Sequence, residues 1–101
     1  MRERGSDRIL VRFQSRITAD LGAAAAKRFV TLLGADIVDV TFDVRGVSGY
    51  DSAARDAWQR EVWPLRKQVR SLHFVGTSAL TRMGATLFGL ALGVPTTFSE
   101  D

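Results

Sequence analysis

The chain has 101 residues, 46% hydrophobic and 25% charged, with no cysteine. This suits one globular domain that buries its core without staples, and it excludes a disulfide framework, a thiolate metal site and a cysteine nucleophile. The net charge is +3, from 14 basic residues of which only Lys27 and Lys67 are lysines; acids interleave with them, so solvated charge explains the basicity better than a nucleic-acid or anionic-surface interface does.

Residues 1–8 read as a flexible, charged segment without a secretory pattern, ahead of a domain over 9–99. Ile9, Val11 and Phe13 alternate with Leu10, Arg12 and Gln14, which is strand periodicity. Asp20 to Leu33 reads as a helix, with Phe29, Val30 and Leu33 as its stripe and Gly34 as its stop. A second strand over 37–44 puts Val38, Val40, Phe42 and Val44 on one face and Asp39, Thr41 and Asp43 on the other.

A short loop through Val47, Ser48, Gly49 and Tyr50 then leads to Asp51-Ser52 at the mouth of a second helix over 52–69. In that helix Trp58, Val62, Leu65 and Val69 form one stripe. Pro64 kinks or splits it, because a proline removes one backbone bond and clashes with the preceding turn. Arg66, Lys67 and Arg70 complement its C-terminal dipole. Trp63 falls off the stripe, and exposure as an interface anchor competes with burial under the kink.

Leu72 to Val75 reads as a third strand, and Thr77 or Ser78 caps a third helix with Leu80, Met83, Leu87, Leu90 and Ala91 as its stripe. Gly84 and Gly89 inside it allow a close approach to a neighbour. Thr77 to Val94 is the most apolar stretch but holds Arg82, so it is a core helix and not a membrane span, and a cytoplasmic location follows. Val94, Thr96 and Phe98 form a last strand, placed at an edge by Pro95.

The order βαβαβαβ predicts an α/β domain with four or so mostly parallel strands. Alternating strands place the helices mainly on one face. Arg12, Gln14, Asp39, Thr41, Asp43 and His73 fall on the other.

These segments together resemble the STAS family, the domains of sulfate transporters and anti-sigma-factor antagonists, of which SpoIIAA is a type. Ile9-Leu10-Val11-Arg12-Phe13 with Arg16 to Asp20, then Asp43 to Ser52, then Phe74-Val75-Gly76 with Leu80 to Ser99, resemble its successive units over residues 9–99. Asp51-Ser52-Ala53-Ala54-Arg55 with Trp58-Gln59, Pro64-Leu65-Arg66 and Arg82-Met83 look like small bacterial STAS-like (SpoIIAA-like) proteins. The resemblance implies a non-enzymatic regulatory protein-interaction module. Its partner would be a kinase-like anti-sigma factor or a scaffold, meeting Gly49, Tyr50, Asp51, Ser52, Arg55, Gln59 and Trp63. Phosphorylation would fall on Ser52 or Ser48. Ala53-Ala54 departs from the Ser/Thr and Gly that usually follow in the phosphorylated loop, and taken alone Asp51-Ser52 is better accounted for as an ordinary N-cap. The family's usual first strand has little room in residues 1–8, which would leave an edge open to pairing with a second copy.

The STAS-like fold also resembles a fold type that carries lipids. The alternative is therefore a carrier of a small apolar ligand, with Trp58, Met83 and Phe88 around its pocket. Enzymatic chemistry has little to stand on: His73 is the single histidine, and Gly46 to Gly49 lacks the lysine of a phosphate loop. Asp39 and Asp43 lie about 13 Å apart along the strand at a rise of ~3.3 Å per residue, too far for one ion. No cofactor and no metal is expected.

Overall fold

The computed structural model describes residues 7–100, the side chain of Leu80 excepted. The expected flexible segment lies outside the described residues up to residue 6. Strand β1 (Arg8–Ile17) is followed by α1 (Ala19–Leu33), β2 (Val38–Tyr50) and α2 (Ser52–Val62). A 3-10 helix (Trp63–Gln68) then leads to β3 (Val69–Val75), α3 (Ala79–Leu92) and β4 (Thr96–Ser99).

The four strands pair in the order β1-β2-β3-β4, all parallel, so β1 and β4 are the edges. Right-handed crossovers between strands in sequence order put every helix on the same face. The core shows this directly. Ile9, Val40, Leu72 and Phe74 from the strands pack on Ala26, Phe29 and Leu33 of α1, Trp58 and Val62 of α2, and Ala85, Phe88 and Leu92 of α3. The opposite face carries the polar residues that alternation assigns to it.

Local chemistry sets the helix ends. Thr18 Oγ1 accepts the Leu21 N–H at 3.2 Å, and Gly34 closes α1 with φ 56°. Ser78 and Thr81 form a reciprocal capping box at α3, and Gly93 ends it in the left-handed region at φ 69°. Pro64 sits at the start of the 3-10 helix, so the predicted long helix is split.

The structure corrects several expectations. Residues 46–50 are not a loop. They continue β2 alongside β1 through two register shifts, one of which leaves Ser48 as the extra residue between Ser15↔Val47 and Arg16↔Gly49. Val69 opens β3 instead of ending a helix stripe, and Arg70 is on that strand, ion-paired with Asp39 and Asp7. Arg66 stacks on the Trp63 ring at 3.8 Å and donates to the Trp63 carbonyl.

The largest correction is the buried face of α3. Gly84, Ala85, Phe88, Gly89 and Leu92 face inward, whereas Met83, Leu87 and Leu90 are 62%, 45% and 74% exposed. A Cβ at Gly84 would run into the Tyr50 hydroxyl, and one at Gly89 into Thr96 Oγ1. The helix packs through its small residues, so a search for large apolar ones picks the wrong stripe.

Candidate functional site

Asp51 stands at the N-cap position of α2 but makes no side-chain cap there. Its carboxylate crosses to the preceding crossover instead. Oδ1 accepts from Arg16 Nη2 at 2.7 Å and Nε at 3.1 Å, and Oδ2 accepts the Ala19 N–H at 3.2 Å. The residue therefore caps α1 and ties the end of β1 to the start of α2. The Arg16 hydrogen bonds hold its carboxyl below the ordinary range, against some desolvation. Ser52 is the first residue of α2 and is exposed, as is Ser48 in the bulge. The other residues of the predicted contact surface divide. Gly49 is buried beside the Arg16 guanidinium, Tyr50, Arg55 and Gln59 are half-buried, and Trp63 is 49% exposed.

Tyr50 and Arg55 meet again at a cavity of about 100 Å³ between the helical face of the sheet, α2 and α3. Phe42, Phe74, Trp58 and Phe88 provide aromatic wall, and Ile17, Val44 and Val47 aliphatic wall. The rings meet mostly edge to face: Trp58 to Phe42 at 5.3 Å and Phe42 to Phe88 at 6.2 Å between centroids. Of the three expected pocket residues, Trp58 and Phe88 line the cavity and Met83 does not; it is on the outer side of α3. The bulged end of β2 brings in Val47 and Tyr50, which the loop reading left out. The signal in the sequence is Gly84, a glycine inside α3 whose missing side chain leaves room for the Tyr50 ring.

The open sheet face is an array of paired charges. Asp43, 5% exposed, accepts from Arg45 Nη2 at 2.8 Å and Arg12 Nε at 3.1 Å. Asp39 accepts from Arg70 Nη2 at 2.6 Å and from the Ser71 hydroxyl at 2.6 Å. His73 bridges to Thr97 Oγ1 at 2.6 Å and Ser99 Oγ at 3.0 Å, joining β3 to β4. Asp39 and Asp43 thus face arginines and hydroxyls, which is charge neutralisation on a sheet and not the geometry of shared metal ligands. Among the described residues, no helix is long and apolar enough to cross a membrane.

No protein-family model matches the chain, and no curated protein matches it in sequence. Among solved structures, it is similar to the crystal structure of an uncharacterized protein from the DUF3478 family with a SpoIIAA-like fold, from Shewanella loihica PV-4. The two superpose with a TM-score of 0.75 at 12% identity, over 100% of this chain and 82% of that one. At such identity the likeness speaks to the fold. The chain has the SpoIIAA-like fold that the order of its motifs resembles.

Proposed function

We propose that this SpoIIAA-like domain is a non-enzymatic binding module that takes a small apolar molecule into the cavity under α2 and α3. The cavity itself carries the reading. About 100 Å³ lies open between α2, α3 and the sheet, walled by Phe42, Phe74, Trp58 and Phe88. A concave, largely apolar wall with a few convergent polar groups is the usual form of a small-molecule site.

Ala85 lines the cavity, and a leucine there would occupy it. Wild-type protein and Ala85→Leu, both checked for folding by circular dichroism, would be denatured and their organic extracts compared by mass spectrometry. A small molecule is expected from the wild type, reduced about tenfold or more in the variant, which corresponds to a loss of at least ~1.4 kcal/mol of binding. Extracts that do not differ would overturn the reading.

A second reading is a regulatory protein-interaction module resembling the anti-sigma-factor antagonists. Its support is the surface of α2 and α3. Ser52 is exposed at a helix start, and Met83, Leu87 and Leu90 form an outward apolar row at helical spacing. A phosphate on Ser52 would add about two negative charges beside Asp51 and compete for Arg16. A protein retained by wild-type bait and released by Ser52→Asp is the expected result. Identical retention by both counts against the switch. The arginines of the open face lend less to an anionic-surface role, since Arg12, Arg45 and Arg70 are all ion-paired.

A further inference from the structure

The open face of the sheet, opposite the apolar cavity, holds a cleft of about 250 Å³. Arg12, Gln14, Asp43, Arg45 and Gly46 line it, and its wall is mainly polar. A bulge in β2 makes it. Arg12 pairs with Asp43 but Gln14 pairs with Gly46, so Val44 and Arg45 together oppose Phe13. Val44 and Val47 both pack on the core, which leaves the exposed Arg45 and Gly46 consecutive on the open side. Gly46 brings no side chain to the space beside Gln14; a Cβ there would lie 3.4 Å from Gln14 Cγ.

The charges in this cleft do not cancel. Asp43 is the only carboxylate among the described residues that line it. Arg45 alone neutralises it, through Nε at 3.0 Å, Nη2 at 2.8 Å and the backbone N–H at 3.2 Å. Arg12 adds a second guanidinium through Nε at 3.1 Å, so one unit of positive charge is left over. The pairs of Arg70 with Asp39 and Asp7 belong to the start of β2, and Asp39 is about 13 Å from Asp43 along the strand at ~3.3 Å per residue.

Bonding through Nε leaves both Nη groups of Arg12 without a partner among the described residues. They belong to a side chain that is 56% exposed, so a ligand in the cleft reaches them from solvent. The Asp43 carboxylate, buried at 5% exposure, anchors the guanidinium, and less side-chain freedom is lost when its outer fork meets a ligand. That fork matches the two oxygens of a carboxylate. Gln14 lies two residues along β1 on the same face and is exposed. Its amide both donates and accepts. A phosphate dianion would exceed the surplus charge and meet twice the repulsion from Asp43, whereas a carboxylate carries the one charge that is left to balance.

We propose that this cleft binds a small polar carboxylate, its two oxygens on the Nη groups of Arg12 and a neighbouring hydroxyl or carbonyl on the Gln14 amide. The site is separate from the apolar cavity and does not depend on it.

Amide NMR titration of the protein with lactate, with its neutral analogue lactamide and with inorganic phosphate, at constant ionic strength, tests this. The amides of Arg12 to Gln14 and Asp43 to Gly46 should shift together and saturate with lactate. Lactamide should bind about tenfold or more weakly, the scale of a hydrogen bond to a charged group. Arg12→Gln should lose that preference; it stays folded because Asp43 keeps its bonds to Arg45. Gly46→Val keeps both arginines but occupies the cleft, and it should weaken lactate by a similar factor. Arg28→Gln removes the same charge from the exposed side of α1 and should leave lactate binding unchanged. Equal weakening by Arg28→Gln and Arg12→Gln would reduce the effect to general charge attraction and overturn the site. So would shifts at these amides that are absent, or equal for lactate and lactamide. Phosphate binding more tightly than lactate would overturn the carboxylate assignment.

Discussion

Trp58→Ala is expected to destabilise the protein by about 3–5 kcal/mol, the range for truncating a large buried aromatic. The indole is 6% exposed. Its ring centroid lies 5.2 Å from Phe29, 5.3 Å from Phe42, 6.0 Å from Phe13 and 6.3 Å from Phe88. One side chain thus joins α1, α3 and the two strands β1 and β2. It also borders the cavity, so its removal widens a space that is already open. Against a total stability of ~5–15 kcal/mol for a domain, such a loss is a large fraction. Urea unfolding followed by far-ultraviolet circular dichroism would measure it. Trp63→Ala is the control. That ring is 49% exposed and stacks on Arg66, and its loss should cost less than ~1 kcal/mol. Equal losses in the two variants would contradict the core described above.

Acid is expected to unfold the protein through the open face of the sheet. Asp43 accepts three hydrogen bonds from Arg45, at 3.2, 3.0 and 2.8 Å, and one from Arg12 at 3.1 Å. The Arg45 side chain is the main cause that holds the Asp43 carboxyl well below its ordinary range, against its burial. Arg70 and then Ser71 lower Asp39 to about 2. Arg70 likewise lowers Asp7, and Arg16 lowers Asp51. A carboxyl depressed in the folded state contributes stability that is complete above its unfolded value, here 3.8. That contribution is lost as the pH falls through the folded value. Stability should therefore be flat near neutrality and fall from about pH 5 down to about pH 2 and below. Asp43→Asn should cost about 1.5–3 kcal/mol at pH 7, the scale of hydrogen bonds to a charged group. The lower end is favoured because the Arg12 and Arg45 side chains are 56% and 55% exposed and can return to water. The variant should also show a shallower acid limb. An acid limb identical to that of the wild type would remove Asp43 from the account.

The two aspects of this chain were legible to different degrees. Strand alternation and helix caps are local properties, and the residues that carry them behave as their chemistry requires. Ser78 caps α3, Gly34 and Gly93 stop their helices, Pro64 splits the second one, and Val38, Val40, Phe42 and Val44 face the core. Asp51 shows the limit of such local reading. Its type and position fit an N-cap of α2, but a parallel neighbour places Arg16 and the Ala19 N–H within reach, and the carboxylate goes there.

Residue order by itself determined the βαβ succession, the one-sided placement of helices and the polar character of the opposite face. These follow from periods of two and 3.6 residues and from the handedness of crossovers. Tertiary structure alone decided how far β2 runs beside β1, which face of α3 is buried, and that the space under Trp58 and Phe88 stays open with Arg55 at its wall. The physical reason is common to all three. Each depends on which distant backbones meet and how closely; for α3 the approach is set where Gly84 and Gly89 meet Tyr50 and Thr96, a pairing that no local period encodes.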